Sequence, residues 1–321
     1  MKTFDPRRRQ LLQCALAAGA SVSLPSFAFA QGDATVSATR MAEGWPSATA
    51  EGAAMLRAAH QLIDLPWILD DPLALPIIGP DHEAWLVENI ERYRVRRALR
   101  ASVALRSRYA EDGLTEAVEK GVRQYVLLGA GLDTFAYRNP HQHAGLKVFE
   151  VDHPATQSWK RKRLSQSGIP LPASLTFAPV DFEKETLSTG LARAGFRADE
   201  PAYFSMLGVV IYLTKPAAME TFKWVASQRP GSEIVFSYSV PSSMLSDAQR
   251  AARGRSEKEV AALGEPWLTY FDPEALAGDL RALGFSTIYD LSSNEANERY
   301  FSGRADGLRV SDSGRLMRAA N

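Results

Sequence analysis

The fold that we predict for this chain is decided by the stretch Gly121-Val-Arg-Gln-Tyr-Val-Leu-Leu-Gly-Ala-Gly-Leu-Asp-Thr134. Residues 125–128 have the length and the apolar composition of a buried strand, and they run directly into the turn Gly129-Ala-Gly131. Glycines at that point let the backbone turn sharply and let a ligand lie against bare peptide groups. Because ligands of open α/β sheets bind at the carboxyl ends of the strands, the segment predicts a strand and one wall of a binding site.

The chain around this segment alternates between strand patterns and helix patterns. Apolar runs of strand length occupy residues 125–128, 147–151, 175–180, 202–207 and 233–238. Helical patterns separate these runs at residues 134–138, 154–166, 184–194 and 215–228. Such alternation closes through right-handed crossovers, so we predict an α/β fold with a Rossmann-like, doubly wound and mostly parallel sheet.

Further patterns flank the predicted core. We expect helices at residues 48–63, 82–112, 250–263 and 272–283, and an antiparallel strand pair at residues 286–291 and 315–318. The chain then divides into a helical cap (48–120), a core (121–240), and an insert with terminal strands (241–318). The second cap helix is rich in arginine, with most side chains expected in solvent and a minority facing an anion: Arg92, Arg94, Arg96, Arg97, Arg100, Arg106 and Arg108.

The composition excludes several classes of function. The 321 residues include 37 Lys or Arg and 37 Asp or Glu, so the surplus of positive charge that binds a nucleic-acid backbone is missing. Cys14 is the only cysteine, which rules out intrachain disulfides and cysteine-ligated metal sites. The five histidines form no ligand pattern such as HExxH, so we predict no metal site. The sequence gives no indication of the oligomeric state.

The N-terminus has the order of segments of an export leader. Arg7-Arg-Arg9 precedes an apolar run at residues 11–24, and Ala28-Phe-Ala30 supplies a cleavage signal. Adjacent arginines ahead of a mild apolar segment resemble a twin-arginine signal, and the run is too short to predict stable membrane insertion. We expect a signal peptide at residues 1–30, a linker at residues 31–47 and export to the periplasm. The alternative is a cytoplasmic protein whose start codon was placed too early.

Acidic residues stand at the ends of the next two predicted strands. Asp152 ends the second strand about twenty residues after the glycines, where a carboxylate binds the hydroxyls of a ribose. Asp181 and Phe182 follow the third strand, where a carboxylate and a ring suit the amino group and the face of an adenine. Ligand-type residues at the ends of three consecutive strands predict a cofactor that carries a nucleoside.

The loop after the glycines indicates which nucleoside cofactor it binds. Dinucleotide sites favour a third glycine, which lets the helix N-terminus receive a pyrophosphate, and here Thr134 and Phe135 follow instead of a glycine. Asp133 would lie beside the two phosphate charges, whereas the sulfonium and ammonium groups of S-adenosylmethionine are compatible with a carboxylate. The loop therefore favours S-adenosylmethionine over NAD. An NAD-dependent oxidoreductase is the alternative from another reaction class.

Several segments resemble the leucine carboxyl methyltransferase family, which includes bacterial S-adenosylmethionine-dependent enzymes and polyketide O-methyltransferases. The segments are RSRYAED at 106–112, LGAGLDTFAYR at 128–138, FEVD at 149–152, LGVVIYLT at 207–214, PGSEIVF at 230–236, GEPW at 264–267 and RYFSGRADGL at 299–308. The resemblance extends from residue 48 to residue 318 and implies the fold of a class I methyltransferase.

The resemblance also implies roles for individual residues. Arg108 would hold the methionine carboxylate of the cofactor, and Asp152 would bind the ribose hydroxyls. Leu207 stands where many relatives place a glutamate that meets the cofactor's ammonium group, which leaves Asp133 and backbone carbonyls for that group. The cofactor-binding residues expected in total are Arg108, Gly129, Gly131, Asp133, Asp152, Asp181 and Phe182.

We expect the methyl acceptor to be a small molecule with a carboxylate or hydroxyl oxygen. A carboxylate needs no general base, whereas a hydroxyl needs a group that takes its proton. The candidates are Tyr212, His153 and Tyr109, each of which also fits a structural role, so no catalytic residue is assigned. A non-catalytic nucleoside-binding module is the second alternative, because Leu207 replaces a cofactor ligand.

Overall fold

A seven-stranded sheet forms the centre of the protein. The computed structural model describes residues 47–181 and 184–321, and the predicted leader, the predicted linker up to residue 46, and Phe182 lie outside these ranges. The strands are β1 (Gln124–Leu128), β2 (Lys147–Asp152), β3 (Leu175–Pro179), β4 (Tyr203–Met206), β5 (Glu233–Ser239), β6 (Thr287–Leu291) and β7 (Gly314–Ala320).

The order of the strands is β3-β2-β1-β4-β5-β7-β6. Strands β1 to β5 run parallel to one another, and β7 runs antiparallel to both of its neighbours. Consecutive strands extend from β1 in opposite directions, with β2 on one side and β4 on the other. In open α/β sheets such a switch point forms a crevice at the carboxyl ends of the strands. The predicted doubly wound sheet and its terminal antiparallel pair are confirmed.

Helices form a cap before the sheet and cover both of its faces. The cap contains α1 (Ala48–Ile63), α2 (Ala74–Ile78), α3 (Pro80–Glu88), α4 (Ile90–Arg94) and α5 (Arg97–Glu119). The later helices are α6 (Pro154–Gln166), α7 (Leu187–Arg193), α8 (Lys215–Ala226), α9 (Asp247–Ala262), α10 (Pro273–Leu283) and α11 (Ser293–Phe301). Across residues 47–181 and 184–321, no helix has the length and apolar character that crossing a membrane requires.

The central strands are buried on both faces, as expected of a parallel sheet covered by helices. Tyr125 and Leu127 of β1 pack into one apolar core, together with Leu114 of α5. Val126 and Leu128 pack into the core on the opposite face, which α8 and α10 cover. A third apolar cluster joins α1, α2 and α3 to α6, so the cap packs against the half of the sheet that carries β2 and β3.

The cap contains three helices where the sequence predicts one at residues 82–112. Asn89 leaves the helical conformation between α3 and α4 (φ −109°, ψ 22°), and its side-chain amide donates to the Trp85 carbonyl at 2.9 Å. Arg96 makes a second break before α5 (φ −87°, ψ 40°). Helix α5 then continues past residue 112, because Leu114 still packs into the core.

Capping residues fix the ends of several helices. Ser47 precedes α1 and accepts a hydrogen bond from the Ala50 amide at 3.1 Å, so this helix begins where the sequence predicts. Helix α11 is not predicted, although the sequence holds its start signal. Ser292 and Glu295 form a capping box, in which each side chain accepts a hydrogen bond from the backbone amide of the other.

Gly113 lies in the middle of α5, where a side chain has no room. A β-carbon there would lie 2.4 Å from the hydroxyl of Tyr203, a fully buried residue of β4. We expect Gly113→Ala to lower the free energy of unfolding by about 1–2 kcal/mol, because overpacking outweighs the gain in helix propensity. Urea unfolding, followed by circular dichroism, measures the change.

Gly278→Ala on α10 is the matched control, because a β-carbon at Gly278 meets no atom within 4 Å. This substitution is expected to raise the free energy of unfolding by roughly 0.5–1 kcal/mol. Tyr203→Phe removes the obstructing hydroxyl and should restore most of the stability that Gly113→Ala loses. Equal effects of the two glycine substitutions would contradict this account of the packing between α5 and β4.

Candidate functional site

The loop after β1 lies at the crevice between β1 and β4. Gly129 and Gly131 have φ angles of 73° and 43°, which residues with a side chain rarely adopt. A β-carbon on Gly129 would lie 2.4 Å from Cγ2 of Val209, in the segment after β4. The amides of Gly129 and Ala130 donate to the Val151 carbonyl at 2.9 and 3.1 Å. The loop is therefore bonded to the end of β2 and presents bare backbone to the crevice.

Asp152, at the end of β2, completes this loop. Its Oδ2 accepts a hydrogen bond from the Gly131 amide at 2.6 Å, and its Oδ1 accepts one from the His153 amide at 2.7 Å. Burial raises the pKa of the Asp152 carboxyl above its usual value, and these two hydrogen bonds oppose that shift. Each carboxylate oxygen has a second lone pair, so the group can still accept hydrogen bonds from two hydroxyls.

Asp181 lies beside Asp152, after the neighbouring strand. The Val180 amide donates to the Asp152 carbonyl at 3.0 Å, which holds the two strand ends together. The Oδ2 atom of Asp181 lies 2.7 Å from Nζ of Lys184 and 3.9 Å from Nε2 of His153. The structure thus brings together the two acids that the sequence places at strand ends.

Arg106 of α5 extends over the same crevice. Its guanidinium lies against Gly208, where a β-carbon would be 2.3 Å from Nη1. Burial lowers the pKa of Arg106 below its usual value, and the neighbouring Tyr212 and Asp133 act in the opposite direction. Within the described part of the chain, no carboxylate lies within the 4.0 Å ion-pair distance of this guanidinium. A partly buried cation without an acidic partner suits the carboxylate of a ligand.

The structure does not place Arg108 at this crevice, where the resemblance led us to expect it. Its side chain is 47% exposed and forms an ion pair with Asp112, with 2.7 Å between Nε and Oδ1. Its Nη1 also donates to the Ile68 carbonyl at 3.3 Å. Arg106, two residues earlier on the same helix, lies against Gly208 at the crevice instead.

The helical phase of α5 explains the difference between the two arginines. Val103, Ala110 and Gly113 are buried and follow one another at the spacing of a single helix face. Arg106 belongs to that series, and Arg108 falls outside it. This periodicity is the signal in the sequence that distinguishes the inward arginine from its solvent-facing neighbours.

A polar network bonds the cap to the glycine loop. Arg57 of α1 forms a buried ion pair with Asp71, with 2.8 Å between Nε and Oδ2, and donates to the Leu132 carbonyl at 2.5 Å. Asp133, the next residue of the loop, accepts a hydrogen bond from the Phe135 amide at 2.7 Å. In the two described ranges, no cluster of three His, Cys, Asp or Glu side chains is arranged to hold a metal ion.

One known family matches most of the cap and the core. The family described as leucine carboxyl methyltransferase matches residues 50–226. The chain belongs to the leucine carboxyl methyltransferase family. The matched range contains most of α1, all of α5, the glycine loop and both strand-end acids, so the site described above lies within it.

Curated relatives cover most of the chain. YktD of Bacillus subtilis, named as an S-adenosyl-L-methionine-dependent methyltransferase, is 32% identical over 278 residues, which are 79% of this chain and 91% of YktD. A Mycobacterium marinum protein with the same designation is 32% identical over 209 residues, 61% of this chain and 68% of its own length. This member of the family is accordingly an S-adenosylmethionine-dependent methyltransferase. The NAD-dependent oxidoreductase and the non-catalytic module are thereby excluded.

Solved structures share the fold of this methyltransferase. A protein of Thermobifida fusca described as a methyltransferase superimposes with a TM-score of 0.50 at 16% identity, covering 87% of this chain and 96% of its own. A DUF574 family protein of Streptomyces avermitilis gives a TM-score of 0.51 at 16% identity, covering 84% and 97%. The class I methyltransferase architecture implied by the sequence is confirmed.

Two of the three candidate bases lie near the crevice. Tyr212 ends the short 3-10 turn Val210–Tyr212 after β4 and is near enough to Arg106 for the two groups to interact electrostatically. His153 stands at the start of α6, where its Nδ1 accepts a hydrogen bond from the Ala155 amide at 3.2 Å. That nitrogen is therefore engaged in capping the helix, whereas the Tyr212 hydroxyl has no hydrogen bond among the residues that the structure describes.

Tyr109, the third candidate, is not brought to the site. It is buried in the core between α5 and the sheet, and the charges that act on it include those of Arg318 in β7 and Arg299 in α11. Burial raises the pKa of its hydroxyl far above the usual value. Tyr109 lies one turn further along α5 than Arg106, under the sheet and away from the crevice.

A buried ion pair, which the sequence analysis missed, lies on the same face of β2 as Asp152. Nζ of Lys160 lies 2.7 Å from Oε2 of Glu150, and their side chains are 1% and 0% exposed. The Tyr137 hydroxyl donates to the same oxygen at 3.2 Å. Burial raises the pKa of Glu150 to about 7, although Lys160 favours the charged form. The sequence feature that could have revealed this pair is a glutamate within an apolar strand, because a buried carboxylate requires a partner.

Proposed function

We propose that this methyltransferase transfers a methyl group to a carboxylate or hydroxyl oxygen of a small molecule. The place of the cofactor in this proposal rests on Arg106, a partly buried guanidinium beside the glycine loop that has no acidic partner among the described residues. A cation at this position selects a ligand with a carboxylate, and the methionine half of the cofactor has one. The name of the family, which refers to methylation of a carboxyl group, supports an oxygen acceptor.

The residues around the glycine loop fit S-adenosylmethionine. Gly129 has a φ angle of 73° and no side chain, which lets the backbone turn sharply and lets a ligand approach its peptide groups. Arg106 would hold the methionine carboxylate, and Asp133 would meet the ammonium group. Asp152 would accept hydrogen bonds from the ribose hydroxyls, and Asp181 would accept one from the adenine amino group.

The contribution of the protein to catalysis is orientation and the exclusion of water. When bound, S-adenosylmethionine supplies an activated methyl carbon for in-line displacement by an acceptor oxygen. Arg106 and Asp152 bind opposite ends of the cofactor and so orient its reactive centre. Holding the reacting groups in this orientation lowers the entropic part of the barrier and raises the rate. Helix α1 packs over the glycine loop, where Ala50 would lie 3.1 Å from a β-carbon on Gly131, and it limits the access of water.

The two acceptor classes differ in their need for a base. A carboxylate is already charged at neutral pH and reacts without losing a proton. A hydroxyl has to transfer its proton, and we assign Tyr212 as the group that receives or directs it, because it lies beside Arg106 in the turn after β4.

Binding of S-adenosylhomocysteine tests the assignment of Arg106. Arg106→Lys should weaken binding by roughly 1.5–3 kcal/mol, because lysine lacks the planar two-donor fork that pairs with a carboxylate. Asp152→Ala should cost a similar amount through lost hydrogen bonds to the ribose. Arg108→Lys, on the same helix, is the matched control and should bind as the wild type does. Isothermal titration calorimetry that gives equal losses for the two arginines would overturn the assignment.

The acceptor is tested by conversion of S-adenosylmethionine to S-adenosylhomocysteine with a panel of small carboxylic acids and phenols. We expect turnover with at least one of these classes and a product heavier by one methyl group in mass spectrometry. Tyr212→Phe should leave carboxylate methylation nearly unchanged and slow hydroxyl methylation by about 10²-fold or more. Absence of oxygen methylation across a broad panel, with the cofactor bound, would refute an oxygen acceptor.

We also propose that residues 1–30 act as a twin-arginine leader and direct the folded protein to the periplasm. Cells that express the full chain should contain periplasmic protein that begins at Gln31. The double substitution Arg8→Lys/Arg9→Lys should abolish this fraction, since the paired arginines carry the signal. N-terminal sequencing of the fractions measures the outcome, and a full-length chain confined to the cytoplasm in both strains would refute export.

A further inference from the structure

The carboxylate of Glu265 binds the start of a helix that lies more than two hundred residues earlier in the chain. Its Oε1 accepts a hydrogen bond from the Ala48 amide at 2.7 Å, and its Oε2 accepts one from the Ser47 hydroxyl at 2.9 Å and another from the Thr49 hydroxyl. The first amides of a helix have no partner within the helix and carry partial positive charge. A carboxylate at this position therefore stabilises the first turn of α1.

Glu265 belongs to the segment between α9 and α10, and we call residues 264–269 the strap. The far end of the strap is fixed to the turn after β4, where the Leu268 amide donates to the Ile211 carbonyl at 2.7 Å. The Thr269 hydroxyl donates to the Leu213 carbonyl at 2.5 Å. The strap thus connects the turn that carries the candidate base to the first helix of the cap.

The first turn of α1 covers the glycine loop. A β-carbon on Gly131 would lie 3.1 Å from Cβ of Ala50, so the helix packs directly on the bare backbone there. The other side of the same turn is fixed by Glu51, whose Oε1 lies 3.0 Å from both Nη2 of Arg163 and Nε2 of His82. The start of α1 is consequently bonded from two sides, to α3 and α6 through Glu51 and to the strap through Glu265.

We propose that Glu265 is a positioning residue that holds α1 closed over the cofactor site, so that S-adenosylhomocysteine leaves after these hydrogen bonds break. The proposal rests on the assignment of the glycine loop as the cofactor site. Glu265 acts through α1, whose first turn has to move away from Gly131 before the loop is open to solvent. Charge-assisted hydrogen bonds to one carboxylate are the strongest contacts between the strap and the helix, so they set the frequency of opening.

The test uses the full chain and two measurements that report different steps. Amide hydrogen exchange of residues 47–55, measured without cofactor, reports the opening of α1, and stopped-flow dissociation of S-adenosylhomocysteine reports its release. Glu265→Ala should accelerate both by about tenfold, as expected for the loss of hydrogen bonds to a charged group. Exchange in strand β5 should stay unchanged, which separates local opening from general destabilisation.

Two further variants allow the proposal to be tested even if the Glu265→Ala protein does not fold. Thr49→Val preserves the shape of the side chain and removes one donor, so it should accelerate both processes less than Glu265→Ala does. The double variant should equal Glu265→Ala alone, because both substitutions remove the same contact. Glu259→Ala changes an exposed carboxylate of α9 that lies 3.9 Å from Arg96, and it should leave both rates at their wild-type values.

The outcomes separate this proposal from the assignment of the cofactor site. Unchanged exchange of residues 47–55 in Glu265→Ala would overturn the positioning role without any reference to the cofactor. Faster exchange with unchanged dissociation of S-adenosylhomocysteine would show that α1 does not control release, and would also overturn it. Failure of the wild-type chain to bind S-adenosylhomocysteine would instead contradict the cofactor site itself.

Discussion

The hydrogen bond from the Gly131 amide to the Asp152 carboxylate, 2.6 Å long, is the contact on which the site depends. It ties the loop after β1 to the end of β2 and orients the carboxylate at the same time. The loop can adopt this path only because its glycines accept positive φ angles. Bare backbone at Gly131 also leaves room for Ala50, and bare backbone at Gly208 leaves room for Arg106. The absence of side chains at two positions thus lets the cap reach the core.

The cap and the core are joined by charged groups as well as by apolar packing. Arg57 pairs with Asp71 and holds the Leu132 carbonyl, which fixes the glycine loop from the side of α1. Glu265 holds the same helix from the side of the strap. Such contacts require specific geometry, so they define one closed arrangement of the cap more sharply than apolar packing alone does. The site is accordingly built from chain segments that are distant in sequence and meet only in the fold.

The sequence predicts the sheet and most of its helices because their burial follows simple periods. Residues 48–63 and 154–166 form helices with the predicted bounds, and Asp152 and Asp181 stand at the ends of two neighbouring strands. The structure places Arg106 and not Arg108 at the crevice, because a resemblance identifies a motif and not the phase of its helix, which the buried neighbours of Arg106 determine. The contact of Glu265 with α1 joins residues with no shared local pattern, so no periodicity or spacing predicts it.

The buried pair of Glu150 and Lys160 has a consequence for the way folding couples to protons. The usual pKa of a glutamate is 4.5, and that of Glu150 in the folded protein is about 7. Between these values the folded protein keeps a proton on Glu150 that the unfolded chain has released, so folding takes up a proton. The stabilisation linked to this proton is complete below pH 4.5, declines as the pH rises and is lost above about 7. Through Glu150, a mildly acidic pH therefore stabilises the folded protein. A solvent-exposed salt bridge would have the opposite pH dependence.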